Sequence, residues 1–117
     1  MRTSDRILNK SLKNQIIKTL AQLIADLKSP SEAEEFLKDF FNDKELETYS
    51  KRLAVIYWLK KKRSYENIKE NLKVSSATIA TTQTMLEKPG IKLALTKIEA
   101  EEWANQWTEK IKKFVKK

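Results

Sequence analysis

SYENIKENLKVSSATIATTQTML, running from Ser64 to Leu86, is the segment around which the rest of the chain is arranged. It predicts two short helices joined by a tight turn. The first, over about Tyr65–Leu72, places Ile68 and Leu72 on one face. The second, over about Ser76–Leu86, turns Ile79 inward and ends on Met85 and Leu86. Lys73-Val74-Ser75 between them is too short for a loop, and Val74 is the apolar residue that pins such a turn to a core. Ser75 is a good N-cap, because its hydroxyl accepts from a free backbone N–H. This spacing is that of a helix-turn-helix at 64–86. In that motif the second helix lies in the major groove of duplex DNA.

The exposed residues expected at the start of the second helix are small: Ser75, Ser76, Ala77, Thr78, Ala80, Thr81 and Thr82. Small side chains let a helix backbone sit deep in a groove. Hydroxyls bond to phosphates or bases, and Ala or Thr methyls touch the thymine methyl. The plainer reading of SSATIATT is a short water-facing helix with a serine cap, so the surroundings have to decide.

Charge weighs in favour of a polyanion partner. The chain has 24 basic and 16 acidic residues, net +8, unevenly placed. Residues 29–49 carry two basic and seven acidic side chains, whereas residues 50–73 carry eight basic and two acidic ones. The basic excess therefore sits directly before the turn motif, which is the footprint of a nucleic-acid partner. A lysine-rich solvated surface is the simpler alternative. Lys60, Lys61, Lys62 and Arg63 close the preceding helix. The helix dipole accounts for part of that run, and phosphate contact for the rest.

Composition removes other functions. With no Cys and no His, thiol chemistry, disulfides, structural zinc and imidazole catalysis are excluded. One Gly and two Pro leave almost no room for hairpins or glycine-rich phosphate loops. No catalytic residue, metal site or cofactor is expected. No apolar run reaches membrane-spanning length and no signal-peptide core is present, so a cytoplasmic location without membrane contact is expected.

The rest of the chain reads as helices around the motif. Ser4 to Leu27 predicts a long amphipathic helix with Ile7, Leu8, Leu12, Ile16, Leu20, Leu23, Ile24 and Leu27 at three- and four-residue intervals. A stripe of that length needs more partner surface than one small chain supplies, which suggests a homodimer. Ser29-Pro30-Ser31-Glu32 starts a second helix to about Phe41, with Ser29 as cap and Glu32 completing a capping box. Ala33, Phe36, Leu37, Phe40 and Phe41 are expected inward. Asn42 and Glu45 repeat the capping pattern for a third helix, about Asp43–Lys61. Leu46, Tyr49, Leu53, Ile56, Tyr57 and Leu59, with Ala54, Val55 and Trp58, make that helix apolar on several sides and hence central. After Leu86, Glu87-Lys88-Pro89-Gly90 breaks the chain. Ile91 to Lys117 then predicts one more helix, with a face of Ile98, Trp103, Ala104, Trp107, Ile111, Phe114 and Val115 and a basic end, KIKKFVKK. The expected class is all-α with about six helices: residues 1–90 form the main domain and 91–117 a helical extension of it.

The order SPSEAEEFLKDFF, then DKELETYSKRLAVIYWLKKKRSYENIKENLKVSSATIATTQTML, then KPGIKLAL, over roughly residues 15–97, resembles the Trp repressor superfamily. It is more similar to its YerC-type members than to the repressor of the tryptophan operon. The resemblance implies an all-helical, intertwined homodimer that represses transcription by binding double-stranded operator DNA. It implies base or phosphate contact by Ser75, Ser76, Ala77, Thr78, Ala80 and Thr81. Backbone contact falls to Ser64, Tyr65, Lys69 and Lys73, together with Lys60, Lys61, Lys62 and Arg63. In the namesake, tryptophan sits between two arginines. Here one falls on Arg52, or on Lys51 if the register slips, and the other on Thr81, followed by Thr82 where glycine is usual. Arg52, Thr81 and Thr82 thus mark a vestigial ligand pocket, and tryptophan control is not expected; the sequence names no other small-molecule effector. The turn also departs from the pattern, with Lys73 where a left-handed glycine is usual. The alternative is a helical protein–protein interaction module that kept the frame and lost DNA reading.

Overall fold

A computed structural model describes residues 6–115, with side chains through residue 102. Six α-helices and no strand are found among the described residues. They are α1 (Lys10–Asp26), α2 (Pro30–Phe40), α3 (Asp43–Lys60), α4 (Tyr65–Leu72), α5 (Ser76–Gln83) and α6 (Pro89–Val115). The chain divides into two compact units, residues 1–46 and 47–117, with the boundary inside α3.

In the first unit, α1 starts six residues later than the apolar stripe predicts. Asn9 is the reason: its Oδ1 accepts the backbone N–H groups of Ser11 at 2.9 Å and Leu12 at 3.2 Å, so it serves as the N-cap. An asparagine side chain satisfies free N–H groups better at that place than it packs inside a helix. Ile7 and Leu8 are therefore outside the helix, and Ser4 lies outside the described residues. Neither α1 nor α2 has a buried residue. Leu12, Ile16, Ile17, Leu20, Leu23 and Ile24 remain between 38% and 54% exposed.

Ser29 caps α2 by accepting from the Glu32 N–H at 3.1 Å, with Pro30 in the first turn, where a missing N–H costs nothing. α2 ends at Phe40, which is 56% exposed and stacks on Phe36 at 5.0 Å instead of pointing inward as expected. The box at α3 is reciprocal. The Glu45 N–H donates to Asn42 Oδ1 at 2.8 Å, and the Asn42 N–H donates to Glu45 Oε1 at 3.0 Å.

The core of the second unit sits under the helix-turn-helix. Val55, Leu59, Ile68 and Ile79 form one buried cluster, flanked by Trp58, Leu72, Val74 and Leu86. Ile56 and Leu95 are buried as well. Only the C-terminal half of α3 is enclosed. Tyr49 and Leu53, expected inward, are 44% and 45% exposed.

α3 ends at Lys60 in a Schellman turn. The Lys62 N–H donates to Leu59 O at 3.0 Å and the Arg63 N–H to Trp58 O at 3.1 Å, with Lys62 left-handed at φ 66°. α4 matches its sequence reading, from the Ser64 cap to a left-handed Lys73 at φ 55°. α5 is shorter than expected and stops at Gln83. Thr84, Met85 and Leu86 donate three residues back, to Thr81, Thr82 and Gln83, so the last turn tightens and leads out of the helix. Pro89 and Gly90, read as a break, instead form the first turn of α6, with Lys88 O accepting from Lys92 at 2.9 Å. The tryptophan-bearing face from Trp103 onward and the closing KIKKFVKK side chains lie outside the described side chains.

Candidate nucleic-acid interface

The recognition candidate, α5, is held by few atoms. Ile79 is fully buried on one side. Ser75 accepts the Thr78 N–H at 3.1 Å, and the Ser75 and Thr78 hydroxyls lie 2.9 Å apart. Ser75, Ser76, Ala77, Thr78, Ala80 and Thr81 are all exposed, as the sequence reading had them. Thr82 is the correction. It is 3% exposed, and its hydroxyl donates to Thr78 O at 2.7 Å. Three residues beyond Ile79, it falls on the same inward side of the helix. Gln83, the longest polar side chain on α5, lines a cleft with Lys60, Lys62 and Lys92, apart from the Ala77–Thr81 surface.

The supporting helix supplies its own caps. Ser64 accepts the Asn67 N–H at 3.1 Å, Tyr65 is 42% exposed, Lys69 is half-buried and Lys73 exposed.

The four cations before Ser64 do not act as one block. The Arg63 guanidinium sits 4.0 Å from the Trp58 ring centroid and its Nη1 donates to Asn67 Oδ1 at 3.3 Å. Lys61 pairs with Glu102 at 3.1 Å. Lys60 and Lys62 line the cleft of about 510 Å³ that also holds Gln83, Leu86, Leu95 and Glu99.

Arg52, Thr81 and Thr82 do come together. They line a cleft of about 550 Å³ with Ala77, Thr78, Thr84, Met85 and Lys88. Arg52 also lines a second cleft of about 380 Å³ with Lys51, Lys73, Ser75 and Thr78. Among the described residues, no acidic side chain lines either one. Arg52 lies 5.4 Å from the Tyr49 ring centroid. Lys88 escaped the sequence reading, because a single lysine in a linking turn has no pattern.

A second polar cluster was also missed. Tyr57 OH donates a hydrogen bond to Glu102, whose carboxylate also takes Lys61. The hydrogen bond from Tyr57, then that from Lys61, holds the Glu102 carboxyl below its ordinary range. The same contacts raise the Tyr57 hydroxyl and the Lys61 ammonium, in each case chiefly through the hydrogen bond to Glu102. Lys92, at 2.9 Å, lowers Glu87 in the same way.

Among the described residues, no helix is long and apolar enough to cross a membrane, and no group of three or more acidic, His or Cys side chains could hold a metal ion. No curated protein matches the chain. The profile described as Trp repressor protein matches residues 15–99, which spans the exposed face of α5, its supporting helix α4 and the buried cluster beneath them. By that match, the chain belongs to the Trp repressor protein family, a family of helix-turn-helix DNA-binding regulators.

Proposed function

We propose that this chain is a sequence-specific transcriptional repressor that binds duplex DNA as a homodimer, with α5 in the major groove. One observation carries the reading: α5 turns Ile79 inward and leaves Ser76, Ala77, Ala80 and Thr81 open to solvent. Ser75 and Thr78 stand at the helix start, while Ser64, Tyr65, Lys69 and Lys73 flank it on the phosphate side. Lys60, Lys61, Lys62 and Arg63 add charge nearby. The uncovered stripe of α1 supports a second copy as partner, since exposed apolar surface of that length marks an interaction site. Residues 91–117 belong to the same domain as an extension. No catalytic step is assigned.

Tryptophan is not the effector in this reading. Arg52 offers one guanidinium face, but Thr81 stands where the second arginine of the namesake is expected. Base reading is weak in direct hydrogen bonds, because the exposed face carries hydroxyls and methyls and no Arg, Asn or Gln. Shape and water-mediated contacts then contribute more.

Selection of bound sequences from random duplex DNA at physiological salt tests the proposal. Enrichment of a palindrome is expected; recovery of unenriched sequence overturns specific repression. A flat salt dependence of duplex binding favours the protein–protein module instead. Calorimetry with L-tryptophan is expected to show no saturable binding.

A further inference from the structure

Glu102 lies beyond the segment matched by the family, on α6, yet its carboxylate is bound by two side chains of the central part of the chain. Tyr57 OH donates to it, and Lys61 Nζ stands 3.1 Å away. The Lys61 ammonium is also 5.5 Å from the Tyr57 ring centroid, so it rests between a carboxylate and an aromatic face. Lys61 belongs to the four-cation run at 60–63, and among the described residues it is the one of those four in an ion pair. The Lys61 and Glu102 side chains are 42% and 34% exposed, so the pair is open to competing anions. An ion pair at such exposure is weak and salt-sensitive.

We propose that Glu102 is an internal competitor for Lys61: its carboxylate occupies the ammonium that otherwise meets a DNA phosphate. The inference rests on the duplex-binding reading above. The carboxylate stands in for one phosphate oxygen, the Tyr57 hydroxyl keeps it in place, and the helix beyond the family segment thereby sets the strength of polyanion binding. Any event that draws this part of α6 away from α3 releases one more cation for DNA.

The test measures binding of a labelled mixed-sequence duplex across a salt series. It compares the wild type, E102Q, E101Q, Y57F, K61A and the double variant E102Q/K61A. Glu101 is the exposed neighbour, and its replacement changes net charge by the same amount. E102Q is expected to bind more tightly and to steepen the slope of log K against log salt by about 0.9, the value of one added phosphate contact. E101Q leaves the slope unchanged. Y57F, which alters no charge, loosens the carboxylate and shifts the slope in the same direction by less. K61A lowers the slope by less in the wild type than in the E102Q background, where it removes the gain. Equal slopes for E101Q and E102Q, or an equal effect of K61A in both backgrounds, overturn the inference while leaving duplex binding in place. Absence of duplex binding by every protein in the set overturns the DNA-binding reading and this inference with it.

Discussion

Ile68 on α4 and Ile79 on α5 are both fully enclosed, in one cluster with Val55 and Leu59 of α3. The two-turn helix that presents Ala77 and Thr81 thus depends on a single aliphatic side chain for its seat. Ile79→Ala is expected to destabilise the protein by about 2–5 kcal/mol, the range for removing a buried isoleucine side chain. Ile79→Val should cost about 1 kcal/mol. Urea midpoints at fixed protein concentration measure both, and a cost under about 0.5 kcal/mol for the alanine variant, the usual range for a surface site, would show that α5 is not seated through this residue.

Thr78→Asp separates folding from DNA binding. Ser75 already accepts the Thr78 N–H, and an acidic residue in the first turn suits the positive end of the helix. The melting temperature should therefore hold. In the proposed complex the new charge faces the phosphates, and duplex affinity is expected to fall about tenfold or more, equivalent to about 1.4 kcal/mol or more. Unchanged affinity in a fluorescence anisotropy titration would take α5 out of the groove.

Two lysines occupy left-handed backbone, Lys62 at φ 66° and Lys73 at φ 55°. A side chain there costs about 1 kcal/mol relative to glycine. Lys62→Gly should raise stability by about that amount, read as a rise of a few degrees in melting temperature. Lys73→Gly should stabilise similarly while reducing the salt slope of duplex binding by about 0.9, since it also removes a proposed phosphate contact. Loss of stability in either variant would contradict the backbone geometry.

Acid stability should depend on Glu102. Its carboxyl lies below the ordinary value when folded, because Tyr57 and Lys61 bond to the charged form. The stabilisation is present in full above the ordinary carboxylate range and is lost as pH falls through the lowered folded value. Tyr57 and Lys61, both raised, lose theirs as pH climbs from their ordinary values through the folded ones. Denaturant midpoints of wild type and Glu102→Gln should differ at neutral pH and converge as pH falls through the lowered folded value of Glu102. Equal midpoints at neutral pH and throughout the acid range would show that the carboxylate gains nothing from its partners. Glu87, lowered by Lys92, titrates in both proteins and leaves the difference intact.

What could be read without coordinates was local. Ser64 and Ser75 declare the helix-turn-helix because caps are decided within four or five residues, and Lys73 takes the left-handed turn although a glycine is usual there. Thr81 and Thr82 show where such reading fails. The two are chemically identical neighbours, and a rotation of about 100° along the helix puts one in solvent and the other against the core. The four cations at 60–63 look equivalent as letters, yet a ring, a carboxylate and a cleft take them in different directions. Leu95 and Glu102 were missed for the same reason: Leu95 shares a cleft with Leu59 and Lys60, and Glu102 bonds Tyr57 and Lys61, all far away in sequence. Asn9 is the opposite case: the cap fixes the start of α1 locally, although the apolar rhythm runs on through it toward the N-terminus.

Pro89 opens α6 at a position where it has no N–H to lose. Were α5 prolonged through it, its ring would collide with the carbonyl of Met85, four residues back. The proline is therefore a punctuation mark that stops two neighbouring helices from merging into one rod. Replacing it with a residue that keeps its N–H would remove that barrier, and the separation between the two helices would no longer be pinned.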